Sequence, residues 1–118
     1  CGMGEPIASY LFARGQKVIG VDGSSELLSL AQNRMPQIKW IHQDMRIYTP
    51  DEEVAAVIAW YSLFHLSAND QSQLIPKISE WLLPGGIFLF TSGIERGEVW
   101  SENGGVNLFH GSLGEHEY

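Results

Sequence analysis

Short apolar runs alternate with amphipathic stretches along residues 1–92, and this alternation constrains the fold more than any other feature. The runs at 17–21, 38–41, 54–60 and 86–92 have the length and the β-branched or aromatic content of strands. The stretches beside them carry apolar residues at helical spacing. Strands separated by helices predict βαβ units, and therefore an α/β, Rossmann-like fold with a mostly parallel sheet and flanking helices.

Local signals predict where these elements begin and end. The first helix is predicted over Pro6–Arg14, and the second opens at Ser24 or Ser25 and ends before Pro36. The third opens at Asn69 or Asp70 and is broken by the Pro-Gly-Gly sequence at 84–86. The run at 54–60 (VAAVIAW) is apolar throughout, which predicts a strand covered on both faces.

The pattern ends after Ser92, where six of the thirteen glycines fall between Gly93 and Gly114. We therefore expect two regions, a partial ligand-binding domain at 1–92 and a glycine-rich tail at 93–118. The tail is either a flexible surface segment or a segment that covers a substrate. Because the chain opens at Cys1 with a glycine turn and no preceding strand, we expect it to be a piece of a longer protein.

Composition excludes several classes of function. Fourteen acids against seven bases give a formal charge of -7 without a basic cluster, which argues against a nucleic-acid partner. No apolar run approaches the roughly 20 residues of a membrane span, and no leader is visible, so no membrane partner is predicted. The single cysteine excludes an internal disulfide and suits a reducing, cytoplasmic compartment. The four histidines lack metal-ligand spacing, so no metal is predicted.

The sequence Cys1-Gly2-Met3-Gly4 leads directly into the first predicted helix. Two glycines one residue apart allow the backbone to pass close to a ligand, and a helix start offers free N–H groups. An ordinary tight turn is the alternative interpretation of this short motif.

Acidic residues follow the first two predicted strands. Asp22 lies 18 positions after Gly4, where a carboxylate can accept hydrogen bonds from a ribose diol. Asp44 follows the next strand and could accept from an adenine amino group while Met45 packs on the ring. Each acid could instead be a solvated loop residue. Because the carboxyl ends of parallel strands form the ligand-binding edge of open α/β sheets, we expect the two acids to share a site.

Several segments together resemble the class I S-adenosylmethionine-dependent methyltransferases, and most closely those that act on small molecules. The resemblance extends over Cys1–Ser92 and rests on these sequences: CGMG, VIGVDGS, HQDM, AWYSLFHL and LLPGG followed by IFLF. It implies S-adenosyl-L-methionine as cofactor and a small-molecule methyl acceptor as partner. The cofactor-binding residues that it implies are Cys1, Gly2, Gly4, Asp22, Gly23, Asp44, Met45, Trp60 and Ser62. It also places His65 beside the substrate.

The chain departs from this family at both ends. The family's first strand, which is central in the complete sheet and ends in an acid before the glycine turn, is absent, as are the strands after the fifth. The implied sheet therefore has two interior edges left open, which predicts self-association through them.

Methyl transfer from a sulfonium mainly requires that the acceptor be aligned, and a base is needed only when the acceptor arrives protonated. His65 is the predicted base, with Tyr61, Glu98 and His110 as other candidates. Two other functions stay open. One is a module that binds an adenosyl ligand without catalysis. The other is a nicotinamide-dependent oxidoreductase, which is disfavoured because Ile7 stands where the dinucleotide motif needs a third glycine.

Overall fold

The structure, a computed structural model, describes residues 1–118 and contains two units, Cys1–Tyr48 and Thr49–Tyr118. The first unit contains two helices and two strands in alternation. They are α1 (Ile7–Ala13), β1 (Ile19–Asp22), α2 (Ser25–Arg34) and β2 (Lys39–His42). The strands β1 and β2 are parallel, with Asp22 opposite His42. The carboxyl ends of both strands therefore lie side by side at one edge of the sheet.

Trp40 packs against the backbone of two glycines in the first unit. A Cβ on Gly4 would lie 2.6 Å from the Trp40 ring, and one on Gly20 would lie 2.3 Å from it. The indole nitrogen of Trp40 donates to the carbonyl of Met35 at 2.9 Å. This close approach fixes the glycine turn against β1 and β2, with Ala8, Leu28, Ala31 and Ile38 buried as the core of the unit.

The second unit begins with a parallel strand pair and ends with an antiparallel hairpin. Its elements are β3 (Val54–Ala59), a 3₁₀ helix (Leu63–His65), α3 (Ala68–Trp81), β4 (Leu82–Phe90), β5 (Gly97–Asn103), β6 (Val106–Ser112) and a 3₁₀ helix (Glu115–Glu117). The strands β3 and β4 are parallel, and β5 and β6 pair antiparallel from Gly97 opposite Ser112 to Asn103 opposite Val106.

The core of the second unit contains a polar residue. Leu63, Leu74, Ile78 and Leu113 are buried, and so is Gln71. The Gln71 amide donates to the carbonyls of Leu66 and Gly111 at 2.9 and 2.8 Å and accepts from the Tyr118 hydroxyl at 3.1 Å. Since every hydrogen-bonding group of the amide has a partner, Gln71 joins α3 to β6 and the C-terminal tyrosine.

The predicted α/β class is confirmed, with both parallel pairs linked through a helix. Ser24 caps α2 as predicted, because its hydroxyl accepts from the Leu27 N–H at 3.3 Å. None of the helices has the length and the apolar character needed to cross a membrane.

Four local predictions were wrong. Ser67 caps α3 in place of Asn69 or Asp70, because its hydroxyl accepts from the Asp70 N–H at 3.1 Å. The helix ends at Trp81, and residues 84–86 lie within β4. Helical geometry is disfavoured at Leu83, the residue before Pro84, and the backbone is already extended at Leu82.

The third correction concerns β3. The strand is not covered on both faces within its unit, because Ala55, Ala56 and Ile58 are exposed. An apolar run shows that a strand is hydrophobic but not which elements cover it.

The tail also forms a regular hairpin, β5–β6, where the glycine content predicted no element. Gly104 and Gly105 have φ of 61° and 82° and provide its turn.

Candidate functional site

The glycine turn and the acid at the end of β1 are joined by direct hydrogen bonds. One carboxylate oxygen of Asp22 accepts from the Gly2 N–H at 2.7 Å and from the Cys1 amine at 2.8 Å. Its other oxygen accepts from the Ser24 N–H at 2.9 Å. The structure therefore brings together Cys1, Gly2 and Asp22, three of the residues predicted to share a site.

The Asp22 carboxylate is held in its charged form. Burial acts to raise the pKa of Asp22, but hydrogen bonds from the Cys1 nitrogen, Gly2 and Ser24 more than offset it. The net result is a pKa below the ordinary value. A partly buried carboxylate that is charged near neutral pH can accept hydrogen bonds from a polar ligand.

The two glycines of the turn have different surroundings. Both have positive φ, 56° at Gly2 and 84° at Gly4. A Cβ on Gly2 would meet nothing within 4 Å, whereas one on Gly4 would collide with Trp40 and Met35. Packing therefore explains the absence of a side chain at Gly4. The open space beside Gly2 is compatible with close approach of a ligand to the backbone.

Asp44 follows β2 at the same edge of the sheet as Asp22, and its carboxylate is paired with Arg46. The guanidinium Nε lies 3.0 Å from each carboxylate oxygen, and the backbone N–H of Arg46 donates at 2.9 Å. These bonds lower the pKa of Asp44. A ligand amino group would have to share this carboxylate with Arg46. Met45, beside it, is half-buried.

Gly23 and His42 flank Asp22. A Cβ on Gly23 would meet nothing within 4 Å, and the Gly23 carbonyl lies 3.0 Å from Nε2 of His42. His42 is exposed at this edge. The space beside Gly23 is therefore open.

Trp60, Ser62 and His65 belong to the second unit, on the segment that follows β3. Trp60 is exposed and makes an edge contact with Tyr61, with ring centroids 5.4 Å apart. The Ser62 carbonyl accepts from the His65 N–H and so opens the 3₁₀ helix. Nδ1 of His65 lies 3.3 Å from the Phe109 carbonyl of β6. The role predicted for each of these residues stays a prediction.

A cleft of about 460 Å³ lies within the second unit, between the segments that follow β3 and β4 and the hairpin. Tyr61, Phe64 and His110 form its aromatic side. Tyr61 has φ of 48°, a left-handed conformation that costs a residue with a side chain about 1–2 kcal/mol, and its N–H donates to Thr91 Oγ1 at 2.8 Å. Strain of this kind concentrates at functional sites, and here it lies in the cleft wall.

Several residues at these sites were not singled out from the sequence. Arg46 lies two positions after Asp44, and a bidentate pair at that spacing depends on the turn after β2. Arg96 lines the cleft only because the tail folds into a hairpin. In the sequence, nothing distinguishes Trp40 from any other strand residue. Of these three, only Arg96 carried a sequence signal, as the sole base of the tail.

Residues 1–86 match the family model described as a methyltransferase domain. The chain is 38% identical over 111 residues to the putative methyltransferase YqeM of Bacillus subtilis (strain 168), covering 87% of this chain and 44% of that protein. It is 33% identical over 88 residues to trans-aconitate 2-methyltransferase of Azoarcus sp. (strain BH72), covering 74% of this chain and 34% of that protein. The chain thus spans less than half the length of these relatives.

The fold is similar to that of an S-adenosylmethionine-dependent methyltransferase from Clostridium acetobutylicum ATCC 824. The TM-score is 0.76 at 13% identity, over 99% of this chain and 66% of that chain. This likeness confirms the predicted Rossmann-like fold.

Proposed function

Because the chain belongs to the S-adenosylmethionine-dependent methyltransferase family, we propose that it is part of an enzyme that transfers a methyl group from S-adenosylmethionine to a small-molecule acceptor. The observation that carries the proposal is the hydrogen bond of 2.7 Å between the Gly2 N–H and Asp22. It joins a glycine turn with open space beside it to a charged acceptor at the end of a parallel strand.

Residues of the first unit would hold the cofactor. In this assignment the turn at Cys1, Gly2 and Gly4 receives the methionine end. Asp22, with Gly23 beside it, accepts hydrogen bonds from the ribose hydroxyls. The fit rests on the open space at Gly2 and on the charged state of Asp22.

Asp44 would accept from the adenine amino group, sharing its oxygens with Arg46, and Met45 would pack on the ring. A solvent-exposed ion pair such as Asp44–Arg46 is worth about 0–1 kcal/mol, so sharing it costs little. Trp60 and Ser62 are assigned to the cofactor on the family pattern.

The cofactor supplies a methyl group on a positively charged sulfur. The protein's part is to orient the acceptor, which can contribute about 7–11 kcal/mol by holding the reactants in place. We assign His65 as the group that accepts a proton from the acceptor where one must be removed. Its Nδ1 lies beside the Phe109 carbonyl, and an Nδ1–H donated there leaves Nε2 as the basic nitrogen.

Residues 1–92 would form the cofactor-binding domain, and 93–118 the segment that covers the acceptor. The covering role of the tail is supported by Arg96, just before β5, and by Val99 and His110 of the hairpin, all of which line the cleft. We further propose a cytoplasmic location, which suits the single free cysteine. The excess of acids favours a small molecule over a nucleic acid as acceptor.

Calorimetry with S-adenosylmethionine, S-adenosylhomocysteine and NAD tests the assignment. Asp22→Ala should weaken binding of the first two by more than about 1 kcal/mol, because it removes a charged acceptor. Asp22→Asn keeps the shape of the side chain and should act in the same direction. Asp51→Asn, the same change in an exposed residue of the second unit, is the matched control.

Unchanged affinity in both Asp22 variants would contradict the ribose assignment, and preferential binding of NAD would favour an oxidoreductase. Formation of S-adenosylhomocysteine across a panel of acceptors separates an enzyme from a non-catalytic module. His65→Gln should lower turnover and leave the affinity for the cofactor unchanged.

A further inference from the structure

Charge is distributed unevenly between the two units. Residues 1–48 contain four acids and five bases, whereas residues 49–118 contain ten acids and two bases. The second unit therefore carries all of the chain's excess negative charge. A field of this sign attracts cations and repels anions.

The cleft of the second unit has its one cationic side chain neutralised. Arg96 lines the cleft, and its guanidinium is paired with the carboxylate of Glu117. Glu117 is held in place because its other oxygen accepts from the Gly114 N–H at 2.7 Å. Glu95, also in the cleft wall, has no ion pair. The cleft therefore has no free cation to bind a carboxylate and one free carboxylate to bind a cation.

Aromatic rings also line the cleft. The ring centroids of Phe64 and Tyr61 are 6.1 Å apart, and those of Phe64 and His110 are 5.1 Å apart. Aromatic faces attract ammonium groups, by about 0.5–1 kcal/mol at exposed sites and by more where water is excluded. Nδ1 of His110 lies 3.3 Å from the hydroxyl of Ser101. This contact orients the imidazole on the cleft wall.

From these observations, and resting on the function proposed above, we infer that the cleft takes a methyl acceptor whose nucleophile is an amine, bound as its ammonium. Glu95 provides the complementary charge, and the rings of Tyr61 and Phe64 pack against the cation and its apolar substituent. Carboxylate acceptors are disfavoured by the negative charge of the unit and by competition from Glu117 for Arg96, the only cation of the cleft. The acceptor class therefore differs from the one in the name of the Azoarcus relative.

His110, with its own proton on Nδ1 donated to Ser101, accepts one proton from the ammonium at Nε2. The lone pair freed on nitrogen forms the new N–C bond, while the S–CH₃ bond breaks and its electron pair stays on sulfur. The products are the N-methylated ammonium, S-adenosylhomocysteine and the imidazolium of His110, which releases its proton to water. His110 lines the cleft, whereas His65, whose ring centroid is 5.7 Å from that of His110, does not. For an ammonium acceptor in this cleft, His110 therefore takes the proton-accepting role assigned above to His65.

The test uses the full chain without cofactor, so that it does not depend on the proposed function. Benzylammonium and benzoate, two probes of matched size and opposite charge, are titrated at low salt while backbone amide resonances are recorded by NMR. Benzylammonium should shift the amides of Gly93, Gly97 and Gly111 in the cleft wall and bind at least about fivefold more tightly than benzoate. Benzoate binding as tightly at these amides, or no shift with benzylammonium, would overturn the inference.

Two variants shift the preference in opposite directions. Arg96→Gln removes the only cation of the cleft and should tighten benzylammonium binding. Glu117→Gln leaves the charge of Arg96 unpaired and should reduce or reverse the preference for benzylammonium over benzoate. Glu102→Gln, the same change in an exposed residue of β5 outside the cleft wall, should leave it unchanged. If Arg96→Gln weakens benzylammonium binding, the charge argument is wrong even if Glu117→Gln proves unstable.

The tautomer of His110 is read from its ring ¹⁵N shifts. The inference requires a protonated Nδ1 and an unprotonated Nε2 whose ¹⁵N resonance shifts on titration with benzylammonium. The opposite tautomer in the bound state would remove His110 as proton acceptor. Calorimetry with S-adenosylmethionine separately decides whether the first unit binds the cofactor, so failure of one assignment is distinguishable from failure of the other.

Discussion

Gly2 and Gly4 show how two identical residues in one turn can have different roles. The left-handed conformation at both positions favours glycine, but only Gly4 is enclosed by side chains. A Cβ there would lie 2.6 Å from Trp40 and 2.7 Å from Met35. Gly4 therefore contributes to the packing of the first unit, whereas Gly2 leaves space beside a charged carboxylate.

We expect Gly4→Ala to lower the free energy of unfolding by about 2 kcal/mol or more, since it adds overpacking to the left-handed penalty. Gly2→Ala should cost only about 1 kcal/mol, because nothing lies near the new methyl group. If the turn holds the cofactor, Gly2→Ala should nevertheless weaken S-adenosylmethionine binding. Urea denaturation and calorimetry measure the two effects. Equal loss of stability in both variants would contradict this distinction.

Among the elements, α3 is attached to the hairpin through one polar side chain. Gln71 is fully buried and bonds to Leu66, Gly111 and Tyr118. The Tyr118 hydroxyl also accepts from the Leu113 N–H at 3.1 Å. This network joins the first part of the second unit to its last residue.

Gln71→Leu should lower the free energy of unfolding by about 3 kcal/mol, because it leaves two buried carbonyls without their donor and removes one hydrogen bond of the Tyr118 hydroxyl. Gln73→Leu, on the exposed side of the same helix, should change it by less than about 0.5 kcal/mol. Tyr118→Phe should lower the free energy of unfolding by less than Gln71→Leu does. Because the two residues share a network, the double variant should lose less than the sum of the two single losses. Additive effects in chemical denaturation would show that they do not.

At the scale of the whole molecule, six strands form three two-stranded sheets. Every strand therefore lacks a strand partner on one side, and such edges promote pairing between chains. The sheet β3–β4 also exposes apolar side chains, including Ile87 at 64% of its surface. Both features favour self-association.

We expect sedimentation velocity to show concentration-dependent association of the chain. Ile87→Lys should reduce it, because a charge on an exposed strand disfavours pairing. Tyr10→Lys, the same kind of change on the exposed face of α1, should not. A single monomeric species at all concentrations would contradict the expectation that open edges drive assembly.

Much of the fold was predictable because its signals are local. The Ser24 cap, the apolar strand runs and the end of α2 before Pro36 depend on neighbours in sequence. The sequence also predicted that Gly2 and Asp22 bind the same ligand, and the structure joins them by a direct hydrogen bond. The β5–β6 hairpin was missed because glycine-rich sequences predict turns without showing which flanking residues pair.

The sequence by itself determined the α/β class, the parallel pairs and the acids at their carboxyl ends, because hydrophobic periodicity and turn residues act over a few positions. Only the tertiary structure decided that Trp40 encloses Gly4 but not Gly2, that Gln71 is buried, and that Glu117 neutralises Arg96. These contacts join residues 21 to 47 positions apart or depend on how side chains fill space. No local pattern encodes which distant group reaches a given side chain.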